Sequence, residues 1–580
     1  MGGNDRGDRA SGADEGLRQG LTNYGDREFA LYLRRSFARS MGYSEDALDR
    51  RVVGINATPS GFNNCHRSMP ELVEATRRGA MLEGALPLDF PTISLGEPYL
   101  NPTSLKFRNL MSMDVEEMVR AQPMDAVVLI GGCDKTVPAQ IMGAISADKP
   151  AVMVVTGPMM TGRYKGERLG ACTDCRRYWA KFRSGEVGAE EIGKIEGQLA
   201  TTAGTCAVMG TASTMACLVE TLGFGLPYSA AVPAVHADRL RIAEESGRLA
   251  ARMAFGGKAV RPSELVTEAS LDNAMRMLLA ISGSTNALVH LAAIAGRAGI
   301  RLSLNRLNEL AETTPVLVNL KPVGSNYMED LHAAGGVPAV MWELRHLLNL
   351  DCPTVTGEPL GARLEGFDPS VIGRDVVRPF DDPIEPEGGL VALFGNLAPD
   401  GAILKRAAAS PELLEREARV VVFDSLEDLS ARIDDPDLDV RADDALVLKN
   451  AGPTSASAMP EAGYLPIPKK LAAQGVKDMV RVSDARMSGT AFGAVVLHVA
   501  PDAASGGPLA LVETGDRISL SVSKKSIELL VPDDELARRR ERLPAAPAKA
   551  ARGYAALYDD HITQAPAGCD FDVLQHPDVR

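Results

Sequence analysis

The sequence predicts an α/β protein in two parts, an N-terminal domain built on a parallel sheet and a C-terminal domain of short strands with a barrel-like form. Three observations carry this. In the first part, apolar β-branched runs such as 126–130 and 151–155 alternate with stretches of helical spacing, which is the pattern of strand, crossover helix and parallel strand. A stretch rich in Pro and Asp, 366–387, then interrupts the chain with Pro369, Pro379, Pro383 and Pro386, as a boundary between domains does. Beyond it, short strands and turn signals dominate. The expected division is a flexible tail over 1–22, an α/β domain over 23–375 and a barrel-like domain over 376–580.

Each element has its own signal. Phe29, Leu31, Leu33 and Phe37, with basic residues between them, predict a surface helix over 26–42. Residues 51–55 read as a short buried strand that ends in a loop, 56–65, and helical spacing resumes over 70–80, so Cys65 stands near a helix start. Residues 86–93 are expected to be extended, and Phe107, Leu110, Met111, Val115 and Met118 mark one helix face leading into the 126–130 strand. A helix over 139–147 and a strand over 151–155 complete a right-handed βαβ unit. Gly210-Thr211-Ala212-Ser213-Thr214 and Ser282-Gly283-Ser284-Thr285-Asn286 each look like a loop entering a buried helix, suited to close backbone packing or to a ligand. In the second part strands are expected at 390–394, 420–423, 445–448, 494–498 and 509–512, with a hairpin over 517–522 and 526–531 and a linker over 543–552.

Composition narrows the function. A net charge of -14 over 580 residues argues against nucleic acid as the main partner, because phosphate binding needs a basic surface. No apolar run approaches a membrane span, and the first twenty residues lack the apolar core of a secretory signal, so a cytoplasmic location is expected. Eight cysteines without a regular framework point to reduced thiols, metal ligands or core packing.

The chemistry centres on Gly131-Gly132-Cys133-Asp134-Lys135-Thr136-Val137-Pro138, where a strand delivers a thiol, a carboxylate and an amine into a loop. Open α/β sheets keep their ligands beyond the carboxyl ends of such strands. Cys65, Cys133 and Cys206 all lie in Gly or Asn loops at element ends. Three thiolates are one short of closing a four-ligand cluster, which leaves an open position, and they fit more than one cluster type. Cys172-Thr173-Asp174-Cys175 has no partner ligands nearby, so its two cysteines read as incidental thiols. Glu97, Asp134 and Glu461 are loop carboxylates that, if they converge, make a hard oxygen site for Mg²⁺. Lys135 is either a salt-bridge partner of Asp134 or, chemically modified, a further ligand. Ser483-Asp484-Ala485-Arg486-Met487-Ser488-Gly489-Thr490 does not match a hydrolase elbow, and none of the eight His has an obvious catalytic context.

These motifs resemble the iron-sulfur dehydratases that include dihydroxy-acid dehydratase, phosphogluconate dehydratase and the aldonate dehydratases. The matching segments are Gly132 to Thr136, Gly204-Thr205-Cys206 with 209–214, Gly283 to Asn286, Gly395-Asn396-Leu397-Ala398-Pro399, Met459-Pro460-Glu461 and Asp484 to Gly489, in the family's order across nearly the whole chain. The resemblance implies that Cys65, Cys133 and Cys206 hold the cluster, that Glu97, Asp134 and Glu461 hold Mg²⁺ with Lys135 as a carbamylated ligand, and that Ser488 is the base with Thr490 beside the substrate. It also implies an α/β domain and a β-barrel-like domain with the site between them, in homodimers or homotetramers. The segment 107–117 and the Glu97 motif look more like the sugar-acid branch, near the pentonate (arabinonate or xylonate) dehydratases, which implies a [2Fe-2S] cluster, with [4Fe-4S] as the alternative.

On this resemblance the expected activity is that of a hydro-lyase converting an aldonate, or a related 2,3-dihydroxy carboxylate, into a 2-keto-3-deoxy acid. Iron would act as Lewis acid at the C3 hydroxyl, while Ser488 as alkoxide removes the C2 proton. The alternatives are the dihydroxy-acid step of branched-chain amino-acid synthesis and an inactive cluster-carrying sensor or binding protein. The chain departs from the family pattern in three places: 452–459 lacks glycines usual before Met-Pro-Glu, Ser282 replaces a Gly, and the Cys172/Cys175 pair is extra.

Overall fold

A computed structural model describes residues 14–544 and 548–580. In the first half, β1 (Val52–Ala57), β2 (Leu86–Pro91), β3 (Ala126–Gly131) and β4 (Ala151–Val155) form one parallel sheet in the order β2-β1-β3-β4. Three of these strands, β1, β3 and β4, are buried along their whole length, as both faces of a parallel sheet require. α1 (Arg27–Ser40) precedes the sheet, capped by the Asp26 carboxylate. The crossovers are α2 (Met69–Leu82), α3 (Leu105–Ala121) and α4 (Thr136–Ala147). Because the chain passes from β1 outward to β2 and then back across to β3, the loops after β1 and β3 diverge at adjacent strand ends. That is the switch point at which open α/β sheets bind ligands.

A hairpin, β5 (Gly162–Tyr164) with β6 (Glu167–Leu169), leads into α5 (Thr173–Ser184). The small-residue runs do enter buried helices, α6 (Thr211–Thr221) and, later, α9 (Asn286–Arg297). Between them come α7 (Ala237–Ala254) and α8 (Glu268–Ala280). α7 crosses α2 with backbones almost in contact. A Cβ on Gly79 would lie 1.9 Å from the Glu244 carbonyl oxygen, and one on Gly247 would lie 2.1 Å from that of Thr76. Neither neighbour can yield, since both are helix backbone. Gly247→Ala is therefore expected to destabilise the protein by about 1–3 kcal/mol, read as a lower urea midpoint at unchanged m-value.

The second half is one eight-stranded mixed sheet. Its strands are β7 (Val391–Leu393), β8 (Gly401–Leu404), β9 (Glu415–Phe423), β10 (Ala445–Leu448), β11 (Arg481–Ser483), β12 (Val495–Ala500), β13 (Arg517–Ser521) and β14 (Ser526–Leu529), in the order β14-β13-β9-β10-β11-β12-β8-β7. The centre, β9 to β12, is parallel and the flanks are antiparallel. The two edges meet where Phe394, just past β7, bridges Ser526 of β14, with bonds of 3.0 Å to the Lys525 carbonyl and 2.8 Å from the Ile527 N–H. Closing the edges in this way gives the barrel-like form and removes two exposed ladders.

Three local expectations differ from the structure. Residues 509–512 were expected as a strand; they fall in a 3-10 turn, Pro508–Leu511, because Pro508 starts a helical turn and lacks the N–H a ladder needs. β8 and β11, too short for a periodic signal, are strands the pattern did not announce. Of the tail, 1–13 lies outside the described residues. From residue 14 the chain is packed: Leu17 and Leu21 are buried and the Gly16 N–H meets the Asp125 carboxylate at 3.1 Å. The linker at 543–552 includes 545–547, also outside the described residues. After it, α10 (Gly553–His561) and the last residues return to the first domain, where Asp570 pairs with the buried Arg297 of α9 at 2.6 Å and Arg108 of α3 donates to the carbonyls of Gly568 and Cys569 at 2.7 Å.

Candidate active site

The Cys65 and Cys133 loops leave the carboxyl ends of the adjacent parallel strands β1 and β3. After β1 the chain reaches a 3-10 turn, Asn64–His66, and the Asn63 side chain accepts the Cys65 N–H at 3.2 Å. His66, which carried no role in the sequence reading, joins this loop to the next. Its Nε2 accepts the Gly132 N–H at 3.1 Å, so its proton sits on Nδ1, 2.8 Å from the Thr58 carbonyl oxygen. Burial keeps this imidazole neutral by pulling its pKa down. At Gly132 a Cβ would lie 2.0 Å from Thr156 Oγ1, and Cys133 adopts a left-handed φ of 63°; this tight turn aims the thiol inward. The neighbouring Cys65 thiol, together with burial, pushes Cys133 well above the usual thiol range. Cys206 arrives from a third loop pinned to the chain after β4, the Thr205 N–H bonding the Gly157 carbonyl and the Thr205 carbonyl accepting the Met159 N–H, both at 2.9 Å.

The carboxylates converge beside the thiols. Cys133 Sγ lies 3.3 Å from its neighbour's Asp134 Oδ1. Lys135, fully buried, pairs with Asp134 and with Glu97 at 3.4 Å. Arg486 enters from the second domain as the hub: it meets Glu461 at 2.5 Å, Glu97 at 2.9 Å and Asp134 at 4.0 Å, and donates to Thr103 Oγ1 at 2.7 Å. Burial alone would raise the Glu97 carboxyl, but the Arg486 and Lys135 charges and the Ser104 and Thr103 hydroxyls outweigh it and hold Glu97 well below the usual carboxylate range. For Glu461 burial wins, and its pKa is raised. Three carboxylates thus face two cations, leaving a buried excess of negative charge that suits a hard cation.

Ser488 and Thr490 stand on the loop after β11, their hydroxyls 2.8 Å apart. The small-residue runs of the first domain form its seat. Asn286 Nδ2 donates to the Met487 carbonyl at 3.0 Å, and a Cβ on Gly489 would sit 2.4 Å from that of Ser284. The altered segment 452–459 still delivers its end. Ala458 and Met459 take left-handed φ values of 53° and 59°, which glycine would adopt without strain, and the Met459 carbonyl accepts Arg486 Nε at 2.9 Å. The sequence-expected site residues of both domains are therefore gathered around one centre.

Lys405 is a second residue the motifs did not point to. It follows β8, is buried, and donates to the carbonyl of Gly489, between the two hydroxyl residues, at 3.2 Å. With burial as the cause, its ammonium is pulled down to about 7 from 10.5. The unfolded chain then holds the extra proton between about 7 and 10.5, so stability rises with pH across that window. Lys405→Met is expected to be more stable than the parent below pH about 7, by on the order of a few kcal/mol, with the gap closing toward pH about 10. Urea midpoints measured across that range check it; parallel curves would refute the buried charge.

A two-domain α/β and barrel-like fold with thiols and carboxylates gathered between the domains is the architecture of a metal-dependent enzyme site rather than of a hydrolase triad. The chain matches the dihydroxy-acid/6-phosphogluconate dehydratase N-terminal family over residues 50–363 and the corresponding C-terminal family over 375–569. It belongs to that dehydratase family, and its activity class is that of a hydro-lyase. It is 45% identical to a putative dehydratase of Rhizobium meliloti (95% of this chain, 96% of the relative) and 44% identical to the L-arabonate dehydratase of Azospirillum brasilense (95% and 96%). Identity to the 6-deoxy-6-sulfo-D-gluconate dehydratase of Pseudomonas putida is 43% (92% and 92%). Among the described residues no helix is long and apolar enough to cross a membrane.

Proposed function

We propose that the chain dehydrates an aldonate to the 2-keto-3-deoxy acid, using an iron-sulfur cluster held by Cys65, Cys133 and Cys206 and a Mg²⁺ held by Glu97, Asp134 and Glu461. The observation that carries this reading is the meeting, through Arg486, of three carboxylates from two domains directly beside the thiols. The donor sets fit the two groups: soft sulfur suits iron, and hard oxygen with excess negative charge suits Mg²⁺. The relatives named for L-arabonate and 6-deoxy-6-sulfo-D-gluconate support a sugar acid as substrate.

When bound, the cluster and the cation supply Lewis acidity at the departing hydroxyl and positive charge beside the substrate carboxylate. Ser488 removes the C2 proton, with the Thr490 hydroxyl, 2.8 Å away, as its hydrogen-bond partner. Arg486, bonded to Glu97 and Glu461, keeps those carboxylates in place before the cation arrives. Lys135 joins the cation's shell only if its amine is carbamylated, since an ammonium has no lone pair to give. His66 holds the Cys65 and Cys133 loops at a fixed spacing.

The test is iron and acid-labile sulfide per chain on anaerobically purified protein, together with turnover of pentonates, hexonates and 2,3-dihydroxyisovalerate. About two of each and preference for an aldonate are expected, and about four would indicate a [4Fe-4S] centre. Protein that holds zinc and no iron would overturn the reading; preference for 2,3-dihydroxyisovalerate would overturn its substrate.

A further inference from the structure

Cys172 is a thiol that the reading above leaves without a task. Its Sγ lies 2.9 Å from Cys206 Sγ, which makes it a neighbour of the thiol group and not the incidental residue that the lack of further ligands along the chain suggests. The position is built. Cys172 caps α5, and the first turn of that helix is anchored by the buried Asp174, which accepts the Gly170 N–H at 2.8 Å, Lys321 Nζ at 3.0 Å and the Tyr327 hydroxyl at 2.9 Å.

The same helix is tied to the second domain. Thr173 Oγ1 donates to the Thr490 carbonyl at 3.2 Å, and the Arg176 guanidinium lies 5.1 Å from the ring centre of Tyr464, three residues past Glu461. Cys172 therefore stands between the Cys206 loop and the Ser488–Thr490 loop. The Glu461 and Asp134 charges reach it there. Cys175, one turn on, makes the contrast: it packs in the same apolar cluster, its thiol is in no hydrogen bond among the described residues, and burial pushes it up to about 12.

We infer that Cys172 is a fourth sulfur ligand of the iron-sulfur group, occupying in the substrate-free enzyme the iron position that the substrate hydroxyl takes. This rests on the cluster reading above. A thiolate is the soft donor that iron prefers, and a fourth one completes the protein's ligand set and shields the exposed iron from oxygen. Cys172 would bind as thiolate, its proton passing to solvent, and would take a proton back when the substrate hydroxyl displaces it, so the exchange needs no oxidant or reductant.

The experiment compares wild type, Cys172→Ala, Cys172→Ser and Cys175→Ala, all purified anaerobically. It records iron and sulfide per chain, visible and EPR spectra with and without L-arabonate, and the rate at which the absorbance bleaches in air. Both Cys172 variants are expected to keep the wild-type iron and sulfide, since three cysteines remain. Their substrate-free spectra should shift, their bleaching should be several-fold faster, and the spectral change that L-arabonate produces in wild type should shrink. Cys175→Ala should match wild type throughout. Spectra and bleaching rates of Cys172→Ala identical to wild type would overturn the inference and leave the cluster reading standing. Wild type free of iron and sulfide would overturn both.

Discussion

Ser488→Ala is expected to lower kcat by about 10²–10⁴-fold while leaving the visible spectrum, the iron content and the folded state as they are in the parent. Among the described residues the Ser488 hydroxyl is hydrogen-bonded to Thr490, and its loop is seated by Asn286 and Ser284 through backbone and glycine contacts that alanine keeps. A loss confined to kcat would mark a group that acts in the transition state, as a base does. Steady-state turnover of an aldonate alongside the spectrum decides it. Turnover that persists at the parent's rate would remove Ser488 from the chemistry and turn attention to Lys405, whose ammonium is already pulled down to about 7 by burial.

Arg486→Met should cost about 3–5 kcal/mol of stability in metal-free protein, because it strips a buried guanidinium from three carboxylates and leaves Lys135 as the only cation among them. Adding Glu461→Gln to that variant should restore part of the loss, since it removes the carboxyl that burial already raises. Saturating Mg²⁺ should do the same by supplying the missing charge. Urea unfolding of the single and double variants, with and without Mg²⁺, measures all three effects. An Arg486→Met protein as stable as the parent would mean that the carboxylates are neutral in the folded state.

Much of the site was legible because its residues sit in loops at strand ends, where a thiol or carboxylate has little structural reason to be. Cys133, Asp134 and Lys135 follow an apolar strand directly, and Ser488 and Glu461 lie in motifs whose order along the chain matches a known family. His66, Lys405 and Cys172 escaped for a shared reason. Each makes its contact at long sequence separation, to Gly132, Gly489 and Cys206 respectively, and His66 and Lys405 lie in no pattern with a period or spacing to detect. Cys172 was also masked by Cys175: the CxxC spacing invites a paired reading, whereas the helix it starts points only its first thiol at the centre.

By itself the sequence determined the parallel sheet with its crossovers and the short-strand character of the second half. Those features are written in apolar periodicity, Pro and Gly placement and short motifs, all of which are local. The tertiary structure alone decided the closure of the eight-stranded sheet at Phe394 and Ser526, the packing of the C-terminal residues on α3 and α9, and the place of Arg486 as the cation shared by Glu97, Asp134 and Glu461. Each of these depends on the burial of groups that are distant in sequence. A carboxylate or a guanidinium leaves water only when its partner is already in place, so the pairing is settled in space and leaves no trace in the spacing of residues along the chain.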